Sequence, residues 1–291
     1  EKNKFSLLGI PTSIKDLYGV NGYKTRAGTP KELPNKWEVQ GPIVNTLTSH
    51  SSLITGKTHT VEFAFGGVGM NPHWGTPINP WDEKNHRVPG GSSSGAGVSL
   101  CTGTAALALG TDTAGSVRIP ASVTGNVGLK TTKNRWSTGG IVPLSSSFDT
   151  PGILTHTVED CIYAFKELDK ISLYHKKDQA LSIDSDIDFT FTTYDWFFDK
   201  CDDLINADID DAIKKIEKNN KYKEVSSLNE IDGSHVLFTK GGLAAAEFAS
   251  FMNGEMQELK ATLDPNVAFR IKDMDSFSEV EYLERKNDLE N

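Results

Sequence analysis

The chain has 291 residues, of which 37% are hydrophobic and 24% charged, so global disorder is excluded and a sizeable core can form. Lys and Arg number 30 against 39 Asp and Glu, and the resulting net charge of −9 disfavours nucleic-acid binding through phosphate contacts. The three cysteines, Cys101, Cys161 and Cys201, form no CxxC pair, which predicts free thiols in a reducing compartment.

Metal and membrane functions are also disfavoured by the sequence. The seven histidines show no HExxH or other ligand spacing, so we expect no metal and no cofactor. No apolar run approaches the ~20 residues of a membrane helix, and the N-terminal stretch lacks the apolar region of a signal peptide. We therefore expect a cytoplasmic protein without membrane contact, and the abrupt start suggests a chain that begins inside the gene product.

Short apolar segments alternate with loops in the first 110 residues. Ser6–Asp16 predicts a strand that leads into a functional turn, and Leu47–Gly56 predicts a helix that runs into a strand. Thr60–Phe65 is short and apolar, whereas Gly66–Pro80 is rich in Gly, Asn and Pro and predicts a long loop. The small apolar side chains of Val98–Leu109 predict a packed helix followed by a strand.

Two further elements are expected in the middle of the chain. Ser122–Lys130 predicts a short turn and then a strand. Thr157–Lys170 predicts a helix, because Thr157 can cap it and Glu159 and Asp160 lie at its positive end.

The composition changes after this helix. Residues 172–188 are polar and charged and predict a surface linker. Beyond them we expect a strand, an amphipathic helix, a long helix and a charged helix, at Phe189–Tyr194, Asp208–Asn219, Leu243–Leu263 and Phe277–Glu290 respectively. Strands interleaved with helices indicate an α/β protein.

Two small-residue loops that carry serine flank the apolar run near residue 100. They read GGSSSGAG over residues 90–97 and GTDTAGSVRIPAS over residues 110–122. A serine hydroxyl is a poor nucleophile unless a base takes its proton, and no histidine here lies in a GxSxG or trypsin-like context. A lysine whose pKa is lowered by burial can replace histidine, and Lys15 lies just past an apolar strand. Lys15 could therefore deprotonate a serine directly or through a second hydroxyl.

Three motifs in this order resemble the amidase signature family. They are GIPTSIKDLYGV over residues 9–20, PGGSSSGAG over residues 89–97 and the loop GTDTAGSVRIPAS. Val127–Asp160 also resembles the family, and the chain from Phe189 onward resembles it more loosely. The resemblance implies an α/β fold with a mixed, twisted β-sheet covered by helices on both faces. It also implies a single amidase signature domain over residues 1–291, incomplete at both ends because family members are much longer.

The resemblance implies a Ser–cis-Ser–Lys triad. Ser116 would be the acyl-forming nucleophile, Ser92 would follow a non-proline cis peptide and relay the proton, and Lys15 would be the base. The oxyanion hole would consist of the backbone N–H groups of Thr113, Ala114, Gly115 and Ser116, with Ala114 standing where many members have glycine. The residues expected to hold the two loops are Ser93, Thr111, Asp112 and Arg118, with Asp112 and Arg118 as an ion pair. The residues expected to bind substrate are Ala64, Phe65, Gly66 and Gly67.

Three functions remain open at this stage. The first is a stand-alone amidohydrolase that converts a small-molecule amide to a carboxylate and ammonia or an amine. The second is the A-type, ammonia-producing component of a tRNA-dependent glutamine amidotransferase complex, and the third is a non-catalytic binding protein on a degenerate amidase fold. The GGSSSG loop and the flank NPHWGTPINPWD at residues 71–82 favour the first. A homodimer is one possible assembly.

Overall fold

The strands and helices of the computed structural model lie within residues 6–172, 190–194, 198, 201–218, 221–225, 231, 233–234, 242–272, 274 and 277–290, which are the residues that the structure describes. The strands are β1 (Pro11–Lys15), β2 (Leu53–Thr58), β3 (Leu107–Asp112), β4 (Val127–Lys130), β5 (Thr150–Thr155), β6 (Thr190–Tyr194) and β7 (Lys221–Val225). The helices are α1 (Pro42–Ser49), α2 (Ser94–Cys101), α3 (Arg118–Val123), α4 (Val158–Ser172), α5 (Asp203–Glu217), α6 (Leu243–Glu255), α7 (Pro265–Arg270) and α8 (Glu279–Glu290).

The chain divides into two compact units. The first comprises Glu1–Gln179 with Leu243–Lys286, and the second Ala180–Gly242 with Asn287–Asn291. The second unit contains the parallel pair β6–β7 and helix α5. The single domain over residues 1–291 stays a prediction, and residues 173–188 of the predicted linker lie outside the described residues.

The first unit is built on a five-stranded sheet of order β2-β1-β3-β5-β4. The pairs β1–β2 and β1–β3 are parallel, whereas β3–β5 and β4–β5 are antiparallel, which confirms the predicted mixed sheet. Because β1 and β3 are adjacent and parallel, their carboxyl ends meet at one edge. These ends are Lys15 and Asp112, so the topology alone brings the two candidate segments together.

Side chains of β3 alternate between two apolar layers, as the period of two in a strand requires. Leu107 and Leu109 belong to a large cluster that includes residues of α1, α4 and α6, whereas Ala108 belongs to a smaller cluster with residues of α2 and α3. The two layers confirm that helices cover both faces of the sheet. The face under α2 is built from small side chains such as Ala96 and Ala121, which permit close packing.

Several predicted boundaries shift in the structure. The first strand begins only at Pro11, because Gly9 adopts a left-handed φ of 72° in the preceding turn. Helix α5 begins at Asp203, where the Asp202 carboxylate accepts a hydrogen bond from the Leu204 N–H. The long helix predicted over Leu243–Leu263 ends at Glu255 and is followed by a 3₁₀ segment.

One cap is confirmed and one strand was missed. The Thr157 hydroxyl accepts a hydrogen bond from the Asp160 N–H, as predicted for the start of α4. Strand β5 was not predicted, because its Pro151 and Gly152 argue against a central strand. The structure requires glycine there, since an added Cβ on Gly152 would lie 2.5 Å from a backbone oxygen of β4. Among the described residues, no helix combines the length and hydropathy needed to span a membrane.

Candidate active site

Strand β1 delivers Lys15 into the interior of the first unit. The side chain is fully buried, and its ammonium Nζ donates to the Ser92 Oγ at 2.7 Å and to the Thr111 Oγ1 at 2.8 Å. Thr111 lies on the adjacent strand β3, so the parallel pairing of β1 and β3 creates this contact. The sequence interpretation placed Thr111 among the supporting residues, and the structure gives it a direct contact with the lysine.

The environment of Lys15 favours its neutral form. Burial lowers the pKa of Lys15 from 10.5 to about 7, although the negative charges of Asp149 and Asp112 oppose this change. At neutral pH a large fraction of Lys15 is therefore an uncharged amine. An uncharged amine can accept a proton from the Ser92 hydroxyl, which a typical exposed lysine cannot do.

The loop before α2 brings Ser92 and Ser93 between the two candidate segments. The Gly91–Ser92 peptide bond is cis, as the resemblance implies, and Ser92 is fully buried. The Ser93 Oγ accepts a hydrogen bond from the Thr111 N–H at 3.3 Å, and the Ser93 N–H donates to the Ser116 carbonyl oxygen at 3.2 Å. Ser93 thus ties the two serine loops to each other.

Ser116 lies at the junction of the β3 loop and α3 and is 7% exposed. Among the described residues, its hydroxyl has no hydrogen-bond partner. The structure therefore brings Lys15 and Ser92 into direct contact, and it places the backbone of Ser116 beside the same loop with a free hydroxyl. This arrangement leaves the Ser116 hydroxyl available for an incoming carbonyl carbon.

Asp112 organises the turn that carries Ser116. Its buried carboxylate accepts hydrogen bonds from the Gly115 N–H at 2.7 Å, from the Val117 N–H at 3.1 Å and from the Arg118 guanidinium at 3.0 Å. Burial opposes the charged form, but the hydrogen bonds from Arg118 and Gly115 outweigh it and lower the pKa of Asp112. The predicted ion pair of Asp112 and Arg118 is confirmed.

The same contacts distinguish the four N–H groups of the predicted oxyanion hole, whose role stays a prediction. The Gly115 N–H points to Asp112 and is therefore not free to bind an oxyanion. The N–H groups of Thr113, Ala114 and Ser116 have no hydrogen-bond partner within the part of the chain that the structure describes. Gly115 adopts a φ of +117°, and an added Cβ would lie 2.8 Å from Ile119, so glycine is needed there for the shape of the turn.

Asp149, which the sequence interpretation missed, supports this turn from the other side. The Thr113 Oγ1 donates to one carboxylate oxygen of Asp149 at 2.5 Å. The other oxygen accepts from the N–H groups of Leu144 and Ser145 at 2.8 and 3.0 Å. Burial raises the pKa of Asp149, although the hydrogen bond from Thr113 opposes this. The Lys133 ammonium donates to the Asp149 carbonyl oxygen at 3.0 Å.

A second missed residue, Glu247 of α6, holds the segment that contains Asp149. The Glu247 carboxylate accepts hydrogen bonds from the Ser145 hydroxyl, from the Ser147 N–H at 3.0 Å and from the Ser147 hydroxyl at 2.6 Å. The Tyr282 hydroxyl also donates to it at 3.0 Å. The run SSSFD at residues 145–149 was the only available sequence signal, since serine and aspartate favour turns with side-chain hydrogen bonds.

The four predicted substrate-binding residues lie beside the Ser92 loop. Ala64 adopts a left-handed φ of 60°, and the chain then passes through Phe65 and Gly66. The Gly67 carbonyl oxygen accepts a hydrogen bond from the Gly91 N–H at 2.8 Å. This contact places Gly67 next to Ser92, while the binding role of the four residues stays a prediction. No group of three or more His, Cys, Asp or Glu that could hold a metal occurs among the described residues.

Comparison with known proteins shows which family the chain matches. The sequence profile of the family described as Amidase matches residues 1–251. The chain is 48% identical over 280 residues to 2-amino-5-chloromuconic acid deaminase of Comamonas testosteroni, an alignment that covers 96% of this chain and 60% of the relative. It is 40% identical over 156 residues to the A-type component of the glutamyl-tRNA(Gln) amidotransferase of Cupriavidus taiwanensis, which covers 53% of this chain and 30% of the relative.

A solved structure is similar over almost the whole chain. The crystal structure of an amidase superposes with a TM-score of 0.84 at 29% sequence identity, over 97% of this chain and 62% of that protein. The chain therefore spans about 60% of the length of the Comamonas relative and of this solved amidase.

Proposed function

The chain belongs to the Amidase family, and from that premise we propose that its protein is an amidohydrolase that cleaves a carboxamide C–N bond through an acyl-enzyme on Ser116. The products are a carboxylate and ammonia or an amine. The observation that carries the proposal is the fully buried Lys15, whose Nζ lies 2.7 Å from the Ser92 Oγ and whose pKa is lowered to about 7.

The contact between Lys15 and Ser92 supports one part of the proton path, and the transfer from Ser116 to Ser92 is part of the proposal. Neutral Lys15 accepts the proton of the Ser92 hydroxyl as Ser92 accepts the proton of the Ser116 hydroxyl, and the Ser116 Oγ attacks the amide carbon. On collapse of the tetrahedral intermediate, the same path returns the proton to the departing nitrogen. A water molecule then loses its proton along the same path and attacks the acyl carbon, which releases the carboxylate and restores the Ser116 hydroxyl.

The charge that develops on the carbonyl oxygen needs hydrogen-bond donors. The N–H groups of Thr113, Ala114 and Ser116 supply them in this proposal, because the Gly115 N–H is engaged by Asp112. Donors held in place before the reaction stabilise the transition state without reorganisation, and one such donor contributes about 2.7–4 kcal/mol in a well-studied protease. The carboxylates of Asp112 and Asp149 hold the turn that carries these donors.

The name of the Comamonas relative describes removal of the amino group from an unsaturated dicarboxylic acid. By similarity, we propose a small molecule as substrate and release of ammonia as the outcome. A cytoplasmic location and a homodimer remain predictions of the sequence.

A second candidate is the ammonia-producing component of a tRNA-dependent amidotransferase, favoured by 40% identity over 156 residues. The longer and closer match to the Comamonas deaminase supports a protein that acts without such a partner. Ammonia release by the purified full-length protein alone supports the first candidate. Release that requires a co-purified partner supports the second.

The test of the nucleophile is the intact mass of the protein after incubation with a fluorophosphonate. We expect a single adduct on the wild type, its loss in Ser116→Ala, and slower formation in Lys15→Ala. Lys31→Ala is the matched control, because Lys31 is exposed. A folded wild type that forms no adduct and releases no ammonia from an amide panel would refute the proposal and favour the non-catalytic alternative.

A further inference from the structure

Helix α7 places an arginine over the predicted substrate-binding loop. The guanidinium carbon of Arg270 lies 5.2 Å from the centre of the Phe65 ring. Phe65 is half-buried and packs edge-to-face on Phe248, with ring centres 5.4 Å apart. The Phe65 ring therefore contacts both Phe248 and the Arg270 guanidinium, and the second contact is a favourable cation–π interaction.

The position of Arg270 is anchored at the other end of its helix. The Glu62 carboxylate, which lies in the turn before Phe65, accepts a hydrogen bond from the Asp264 N–H at 2.7 Å. Asp264 caps α7, and Val267 of the same helix is buried. Arg270 and Phe65 are therefore carried by two segments that are joined by a buried contact.

No described neighbour forms an ion pair with Arg270. In the described part of the chain, the Arg270 guanidinium forms no ion pair and no hydrogen bond, and Arg270 is exposed. Ion pairs between described residues engage other arginines, among them Arg26, Arg87, Arg118 and Arg135. Two described carboxylates on the segments that carry Phe65 and Arg270 have other contacts, because Glu62 contacts His73 and the Asp264 N–H, and Asp264 accepts from Asn266. The guanidinium thus keeps its N–H donors for a ligand.

Phe65 connects this cation to the reacting groups. The segment that contains it contacts the Ser92 loop twice, because the Val61 N–H donates to the Ser92 carbonyl oxygen and the Gly67 carbonyl oxygen accepts from the Gly91 N–H. An added Cβ on Gly67 would also contact Ile119, the residue that packs against Gly115. One short segment therefore borders the two serine loops and lies under Arg270.

We propose that Arg270 binds a carboxylate of the substrate, so that the enzyme selects amides whose acyl part ends in a second, anionic carboxyl group. The planar guanidinium matches a carboxylate in a bidentate arrangement, and the Phe65 ring offers an apolar surface to the carbon chain between the two groups. This inference rests on the proposed function, since it names the substrate class of that site.

The test compares matched acidic and neutral amides. The acidic series is malonamic, succinamic, glutaramic and adipamic acid, and each neutral partner has a methyl group in place of the carboxylate. For the best acidic substrate we expect Arg270→Ala to lower kcat/KM about 10- to 100-fold, mainly through KM. The neutral partner is expected to change less than threefold. Lys272→Ala removes an exposed cation two residues away and is expected to leave both substrates unchanged.

A binding measurement separates this inference from the proposed function. The Ser116→Ala variant, which cannot form the acyl-enzyme, is titrated calorimetrically with the same four acids, with and without Arg270→Ala. Binding that weakens about 10-fold or more in the double variant supports the inference even if no amide is hydrolysed. The inference is overturned if none of the acids binds, if binding is unchanged, or if acidic and neutral amides lose activity equally in Arg270→Ala.

Discussion

The Thr113 hydroxyl donates a 2.5 Å hydrogen bond to the Asp149 carboxylate, and this contact joins the turn of Ser116 to the segment before β5. The second oxygen of Asp149 holds the N–H groups of Leu144 and Ser145, and Glu247 of α6 holds Ser145 in turn. A continuous set of hydrogen bonds therefore runs from a helix of the first unit to a proposed oxyanion donor. We therefore expect the position of that donor to depend on Asp149 and Glu247.

A substitution can remove the Thr113 hydroxyl and still keep the backbone N–H group of residue 113. We expect Thr113→Val to lower kcat about 10- to 100-fold, part of the effect of losing a whole oxyanion donor, because its N–H is no longer held in place. KM should change little, since the contact acts on the transition state. Thr113→Ser keeps the hydroxyl and should retain activity within about threefold. Equal losses in both variants would contradict a positioning role for the hydrogen bond.

The activity should rise with pH through the pKa of Lys15. With the neutral amine as the proposed base, kcat/KM should fall about tenfold per pH unit below pH 7 and level off above it. Asp149 is the first of the charges that raise this pKa, so Asp149→Asn should move the acid limb to lower pH. The charged or polar groups that face Asp149 are Lys15, Lys133, Thr113 and Tyr18. An acid limb that stays in place in Asp149→Asn, measured as kcat/KM against pH, would show that its charge does not act on the base.

Removal of the proposed base, Lys15, should strongly lower kcat. We expect Lys15→Met to lower kcat about 100- to 10,000-fold, the usual contribution of general acid–base catalysis, and to abolish the acid limb near pH 7. Lys31→Met, at an exposed site, is the control and should keep normal kinetics. Circular dichroism should show that both variants are folded. A folded Lys15→Met enzyme with a kcat near that of the wild type would exclude Lys15 as the base.

Two glycines of the first unit allow a matched test of how an added Cβ changes the free energy of unfolding. An added Cβ on Gly95 would lie 2.4 Å from the His59 nitrogen, so Gly95→Ala should lower the free energy of unfolding by about 1–3 kcal/mol. Gly254 of α6 is exposed, with nothing within 4 Å of an added Cβ. Gly254→Ala should raise stability by up to about 1 kcal/mol through helix propensity. Thermal melting of both variants checks this, and a stable Gly95→Ala protein would show that α2 can move away from His59.

The sequence was sufficient for the α/β class, for the mixed sheet through the family resemblance, and for the loops around Ser92 and Ser116. The sequence did not predict that Asp149 supports the Ser116 turn, because strand β5, which positions Asp149, was itself not predicted. The antiparallel register pairs Asp112 with Thr150, which brings Asp149 beside Thr113. A strand that contains Pro151 and Gly152 carries no sequence signal for a central position, so its neighbours along the chain could not be placed.

A sequence motif also does not predict the direction in which each backbone N–H group points. The GTDTAGS loop provides four consecutive backbone donors, but only the structure shows that the Gly115 N–H faces Asp112. The position of Arg270 could not be predicted from the sequence either. Its proximity to Phe65 depends on the contact between Glu62 and Asp264, which are 202 positions apart. Such pairings are set by tertiary packing, which no local pattern records.

The contact between Glu62 and Asp264 has a consequence for changing the substrate preference of the protein. The groups proposed for bond cleavage lie between positions 15 and 149 of the chain, whereas the residue proposed to choose the substrate lies on α7, which is joined to the segment before Phe65 through Glu62. If Arg270 selects the substrate as proposed, we expect mutations in α7 to alter which molecules are accepted while bond cleavage is retained. A library confined to Pro265–Arg270 would be the economical starting point for redirecting the enzyme to uncharged amides.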